Sequence, residues 1–223
     1  RGQLRYDVCV NLRRLCAGLC FLLSFVFLLL FAWLHWPLDA ELLEQETGTL
    51  LLDRNGQVLA FLLSRQEEYV LPPVAIEAIP DDFVAATVLL EDASFFRHRG
   101  VDLRAVARAG VQNLRAGEVV SGASTLTLQL AKRLLQHRER TWGNKLRETM
   151  YALRLEAQFS KEELFAMWAG RAPFGGNIVG VHAASQYYFR KPPSQLSLKQ
   201  ALLLAGLPNN PARFSPLSQP RAA

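Results

Sequence analysis

Apolar and polar positions divide this chain into two regimes. Residues 15–34 carry no charged side chain, and as a helix they extend about 30 Å, the depth of a bilayer's hydrocarbon core. Beyond residue 46 the apolar positions return in short groups. Thr49-Leu50-Leu51-Leu52 and Val58-Leu59-Ala60 flank Asn55-Gly56, which predicts a hairpin because both turn residues tolerate positive φ. Pro72-Pro73 is expected to close this small β element. From Asp81 the spacing turns helical, with Asp81 or Asp82 as the expected cap of a helix carrying Phe83, Val84, Ala86, Val88 and Leu89 towards Glu91. A further helix over 126–135 follows the small-residue turn 121–125. Ser160 with Glu163, and Ser197 with Gln200, each fit a capping box ahead of an apolar run. Gly206-Leu207-Pro208 then stops the last helix. The fold expected is mainly α, with one N-terminal transmembrane helix and one small membrane-proximal β-hairpin lobe. The expected boundaries are an arm over 1–14, a transmembrane helix over 15–36, a connector over 37–46 and a domain over 47–223 with an incomplete C-terminal end.

Charge gives the apolar segment a direction. Arg1, Arg5, Arg13 and Arg14 precede it, while Asp39, Glu41, Glu44 and Glu46 follow, so the positive-inside rule places the N-terminus in the cytoplasm and the domain outside. A cleaved signal peptide needs a shorter apolar run and small residues after it; here Trp33-Leu34-His35-Trp36-Pro37 follows. An uncleaved anchor with Trp33 and Trp36 at the interface fits better. The 223 residues carry a net charge of +5, which favours anionic partners (nucleic acid, lipid head groups or diphosphates) and equally describes a solvated basic surface. All three cysteines, Cys9, Cys16 and Cys20, lie in or before the apolar segment. The outer domain therefore has no disulfide framework and no cysteine-based zinc site.

Several residues beyond the anchor can carry chemistry. Glu91 closes an apolar helical stretch with Asp92 beside it, a setting suited to a general base or acid, though a helix-end glutamate paired with Arg97 or Arg104 reads the same way. His98 follows Phe95-Phe96 and precedes Gly100; it fits a structural hydrogen-bonder in a tight turn, and no HExxH pattern makes it a zinc ligand. The turn holding Ser124 and Thr125 opens a helix, where free N–H groups suit an anion or a sugar and simple N-capping is the alternative. Gln129 and Lys132 share a helical face. Lys132, Arg140 and Lys145, with Glu148 among them, can surround a diphosphate; a solvated helix looks alike.

Three ordered motifs settle the choice. Glu91, Asp92, Phe95, His98 and Gly100 fill Glu-Asp-x-x-Phe-x-x-His-x-Gly. Gly122, Ser124, Thr125, Thr127, Gln129 and Lys132 fill Gly-x-Ser-Thr-x-Thr-x-Gln-x-x-Lys, and Asn144-Lys145-Leu146-Arg147-Glu148 departs from Arg-Lys-x-x-Glu only at its first residue. The chain thus resembles the peptidoglycan glycosyltransferase domain of family 51, the polymerase module of class A penicillin-binding proteins. The resemblance implies a lysozyme-like helical domain that polymerises lipid II into glycan strands with inversion, releasing undecaprenyl diphosphate. By that resemblance Glu91 and Glu148 are catalytic. Glu91 is the general base on the acceptor 4-hydroxyl, while Glu148 positions the leaving side directly or through a divalent cation (Mg or Mn). No cofactor is required. Asp92, Ser124, Thr125, Gln129, Lys132, Arg140 and Lys145 bind substrate. The implied partners are lipid II, the nascent glycan chain, the membrane and proteins of cell-wall synthesis, with no nucleic acid. The implied location is a bacterial inner membrane, spanned once. Residues 104–120 correspond to a partly membrane-inserted stretch in which Val106, Val111, Leu114, Val119 and Val120 can meet lipid, or pack as ordinary core.

The chain departs from the pattern in places. Ala93 stands where an arginine is common. The fourth motif, Lys-x-x-Ile-Leu-Glu-x-Tyr-Leu-Asn, becomes a stretch from Lys161 in which Ala166, Trp168 and Gly170 replace its glutamate, tyrosine and asparagine. Arg171-Ala172-Pro173-Phe174-Gly175-Gly176 resembles the 1C branch of these proteins. The chain carries neither Ser-x-x-Lys nor Lys-Thr-Gly, so it contains no transpeptidase site. Two alternatives follow from the altered fourth motif and the fold: a catalytically impaired lipid II-binding or scaffolding protein, and a lysozyme-like hydrolase.

Overall fold

The computed structural model describes residues 2–56, 58–118, 122, 124–136, 139 and 141–209, with backbone alone for 2–17. Two compact units result, 1–37 and 38–223. The first is the helix α1, Gly2–His35. Its stretch Gly18–His35 has a mean hydropathy of 2.3 and none of it is buried. Among the described residues this is the one helix long and apolar enough to cross a membrane. An apolar surface of this kind is stable only against lipid or another apolar partner.

The second unit begins with a short helix, α2 (Ala40–Leu43), then the hairpin β1 (Thr49–Leu52) and β2 (Val58–Leu62). The strands run antiparallel from Thr49 opposite Leu62 to Leu52 opposite Val58, with an irregularity at Leu51/Leu52. Of the expected turn pair only Gly56 takes positive φ, +79°. Asp53 holds the loop instead, its carbonyl accepting from Gly56 N and its carboxylate from Asn55 N. Phe61 stacks on Tyr69 at 3.6 Å between centroids and so fastens the hairpin to the core. Tyr69–Val70 forms β3, which pairs in parallel with β4, Ile178–Val179. Pro72-Pro73 therefore follows this second pair and does not close the hairpin.

Helices make the rest: α3 (Asp81–Glu91), α4 (Leu103–Ala116), α5 (Leu126–Leu134), α6 (Trp142–Gln158), α7 (Lys161–Arg171), α8 (Val181–Phe189) and α9 (Leu198–Gly206). Pro80, not Asp81 or Asp82, is the N-cap of α3. The two acids lie within its first turn, where their charge complements the helix dipole. The Ser160–Glu163 capping box forms on both sides, and Gln200 accepts from Ser197 N–H. Helix α5 buries Leu126, Thr127, Leu128, Leu130, Ala131 and Leu134, nearly its whole circumference, which makes it the central helix. Phe83, Phe95, Phe165 and Phe174 are fully buried around it. Phe83 and Phe95 both meet Phe165 edge-on at 6.2 and 6.3 Å, the arrangement the ring quadrupoles favour. A buried charge joins three helices: the Glu156 carboxylate accepts from Thr127 Oγ1 at 2.6 Å and from Lys161 Nζ at 2.7 Å. Lys161 also lies 4.4 Å over the Phe95 ring.

Helix α4 differs from the others. Only Ala109 is buried, and Leu103, Val106, Val111 and Leu114 are exposed; Val119 and Val120 lie outside the described residues. Asp102 caps its start by accepting from Arg104 N and Ala105 N, and Gly117 closes it in the left-handed conformation. The Ala105 N–H above all, helped by Ser94 and Arg104 and opposed by desolvation, holds the Asp102 carboxyl below its ordinary value. The cap is then fully present above about pH 4 and is lost as pH falls through the lowered value. As pH falls below about 4, the amide protection of α4, taken relative to the intrinsic exchange rate, should decrease, and Asp102→Asn, still a good cap, should remove that dependence.

Packing demands glycine at Gly48, where an added Cβ would stand 2.3 Å from Leu62 O, and again at the start of α8. Gly180, at φ +89°, begins α8 against the end of α7, where an added Cβ would stand 2.5 Å from Gly170 O. Gly180→Ala should cost about 3 kcal/mol or more in denaturant unfolding. Gly110 in α4 has open space around it, and Gly110→Ala should stabilise by roughly 0.5–1 kcal/mol.

Candidate active site

The stretch that leaves α3 turns two adjacent carboxylates in opposite directions. Glu91 is the last helical residue and Asp92 its non-helical C-cap, at φ −159° and ψ 73°. Asp92 points inward. Its Oδ2 accepts from Leu126 N–H at 3.0 Å, and His98 Nε2 lies 2.9 and 3.0 Å from its two oxygens. A carboxylate only accepts, so the imidazole donates from Nε2. Both side chains are more than nine-tenths buried. Thr125 is spent in the same way: its hydroxyl donates to Gly100 O and accepts from Leu128 N–H, capping α5. Asp92, His98, Gly100 and Thr125 together tie the turn after α3 to the start of the central helix.

Glu91 faces the other way, into a cavity of about 1230 Å³. Its Oε2 accepts from Gln129 Nε2 at 3.0 Å, while Oε1 is shielded from solvent and has no hydrogen-bond partner among the described residues. Among the described residues Glu91 joins no ion pair, so neither Arg97 nor Arg104 neutralises it. Ser124, Gln129 and Lys132 from the α5 region, and Lys145 and Glu148 from α6, line the same cavity. Lys132 is exposed there, and Lys145 Nζ contacts Glu148 Oε2 at 3.0 Å, the lysine half exposed and the glutamate buried. Of the residues expected from sequence, then, Glu91, Ser124, Gln129, Lys132, Lys145 and Glu148 share one cavity. Asp92 and Thr125 face the interior beneath it, and Arg140 lies outside the described residues.

A cleft with an unsatisfied carboxylate oxygen and cationic side chains can remove a proton at one end and stabilise a leaving anion at the other. The Glu148 carboxylate is bound to the Lys145 ammonium, and among the described residues no group of three or more His, Cys, Asp or Glu side chains is placed to hold a metal ion; a divalent cation here would take further oxygens from a bound diphosphate.

Two parts of the wall carry no signal of their own in the sequence. Trp168 lines the cavity and donates from Nε1 to Gln129 Oε1 at 3.0 Å. A lone indole in an apolar helix reads as core, and only its place in the fourth motif marks it. The other part is the connector. Gln45 donates to Gly170 O at 2.8 Å, Arg171 donates to Leu43 O, and Leu42, Glu44, Gln45 and Glu46 border the cavity. Burial pushes the Arg171 guanidinium below its ordinary pKa.

Comparison with known proteins gives a consistent answer. Residues 55–223 match the model of a family described as transglycosylase. The chain is 44% identical to penicillin-binding protein 1C of Escherichia coli (strain K12), over 68% of this chain and 20% of that protein. It is 37% identical to penicillin-binding protein 1A of Aquifex aeolicus over 83% of this chain and 25% of that protein. With penicillin-binding protein 1F of Bacillus subtilis the identity is 34% over 83% of this chain and 26% of that protein. The chain thus spans about a quarter or less of the length of these relatives.

Because Asp92 satisfies a helix-end N–H and an imidazole at once, Asp92→Ala should cost about 2–4 kcal/mol in equilibrium unfolding, more than a surface substitution. Asp92→Asn keeps one acceptor and should cost less.

Proposed function

Since the chain belongs to the transglycosylase family, we propose that it is a membrane-anchored peptidoglycan glycosyltransferase that polymerises lipid II into glycan strands. The observation that carries this reading is Glu91: one oxygen held by Gln129, the other unpaired among the described residues, in a cavity that also contains Lys132 and Lys145. In this reading Glu91 takes the proton of the acceptor sugar's 4-hydroxyl. That oxygen bonds to the anomeric carbon of the growing chain from the face opposite the leaving group. The bond to undecaprenyl diphosphate breaks, and its electron pair stays on the phosphate oxygen, with inversion at the carbon. Lys132 and Lys145 offset the charge that develops there, so the diphosphate leaves without being protonated. Glu148 holds Lys145 in place from beneath. Ser124 contacts substrate at the cavity wall, Arg140 joins the cationic side by resemblance, and Asp92 and Thr125 act by positioning. No step is routed through a metal.

The anchor α1 spans a bacterial inner membrane once. The arginines before it set the N-terminus in the cytoplasm, and the catalytic unit works on the outer side beside its lipid-linked substrate. Proteins of cell-wall synthesis are the expected partners. The second reading, a lipid II-binding scaffold, rests on Ala166 and Gly170, which bring no polar side chain to the fourth motif.

Labelled lipid II incubated with the detergent-solubilised chain should yield a polymer ladder on a gel. Glu91→Gln should reduce it by roughly 10²–10⁴-fold. A ladder of wild-type strength from Glu91→Gln overturns the role of Glu91. Bound lipid II without polymer from the wild type selects the scaffold.

A further inference from the structure

The amide of Gln129 stands between two groups that each allow it one orientation. An indole N–H only donates and a carboxylate only accepts. Trp168 Nε1 donates to Gln129 Oε1 at 3.0 Å, and Gln129 Nε2 donates to Glu91 Oε2 at 3.0 Å. Reversing the amide would set donor against donor at the indole and acceptor against acceptor at the carboxylate, leaving buried groups unsatisfied. Without the indole N–H, Glu91 would still select Nε2, but Gln129 Oε1 would lose its buried donor and the amide its second point of attachment.

Trp168 is well placed to provide that attachment. It is 2% exposed and packs on Phe165 at 5.8 Å between ring centroids. It sits in the middle of α7, which is fixed at its start by the Ser160 capping box and at its end by Arg171 reaching the Leu43 carbonyl. The indole therefore has no freedom to follow the amide. Glu91 Oε1 is shielded from solvent and has no hydrogen-bond partner among the described residues, so the Gln129 amide is the contact that holds this carboxylate.

We infer that Trp168 is a positioning residue for the general base: its indole N–H holds the Gln129 amide in the place from which that amide fixes the Glu91 carboxylate. The inference rests on the glycosyltransferase reading above. It also gives the residue that replaces the fourth motif's tyrosine a polar role in this chain, alongside its part in the core.

The test uses the full chain in detergent with three variants, Trp168→Phe, Gln129→Met and the double substitution. Trp168→Phe keeps an aromatic ring beside Phe165 and removes the donor together with part of the ring volume. It should lower kcat for polymerisation about tenfold, the effect of one lost hydrogen bond, with KM for lipid II changed less than about twofold. In the Gln129→Met background the same substitution should bring no further loss, because the two residues act in series. The indole ¹H–¹⁵N resonance of Trp168, identified by its disappearance in Trp168→Phe, should move in Gln129→Met. Wild-type kcat in Trp168→Phe beside an inactive Glu91→Gln overturns the inference, as do additive losses in the double variant. An unmoved indole resonance in Gln129→Met overturns it too. A wild-type chain that makes no polymer counts instead against the glycosyltransferase reading, and the indole resonance then still decides whether the hydrogen-bond chain exists.

Discussion

The buried Asp92 carboxylate is the contact on which the site depends. Helix α5 begins with N–H groups that no earlier turn can satisfy and with a partial positive charge. Asp92 meets both at Leu126 while also accepting from His98. One side chain thereby joins the end of α3, the turn that follows and the start of the central helix. Glu91 is its neighbour in sequence and Gln129 lies one turn into α5, so the clamp brings base and amide face to face. Thr125 repeats the arrangement through Gly100. The residues of the first two motifs thus divide into those that face the cavity and those that hold them in register.

Charge is distributed by the same logic. The interior pair of Glu156 and Lys161 is closed by Thr127 and the Phe95 face, which stand in for the hydration that burial removes. Lys145 and Glu148 form a second pair, but with the lysine half exposed at the cavity. Lys132 stands there without an ion-pair partner among the described residues. Cations are therefore kept where a polyanionic group can reach them, while the buried Lys161 is matched inside the protein.

Much of this was legible in the sequence where the signal is local. The apolar run to His35, Asn55-Gly56 between apolar stretches and the Ser160 box each depend on a few neighbouring residues, and each has its element. Spacing alone left the set from Glu91 to Glu148 open; the resemblance carried by the three motifs implied it. What stayed hidden depends on distant pairing. Strands β3 and β4 have two residues each and lie more than a hundred positions apart, too short for any alternation to show. Spacing could not tell that Asp92 points inward and Glu91 outward, because the chain leaves the helical conformation between them. Pro80 as the cap of α3 was masked by two acids with stronger capping preference. Trp168 looked like core because its ring is core; only its N–H belongs to the cleft.

The connector is part of the folded unit. Leu38, Leu43 and Gln45 bond to Gln158, Arg171 and Gly170, partners 120 to 128 positions later in the chain. At typical rates of synthesis roughly 6 to 25 s separate the two sides of these contacts. During that interval the segment after the anchor has no native partner for these groups, and closing so long a loop carries its entropic cost only when α7 arrives. The cleft wall that the chain begins first is thus among the last it can complete.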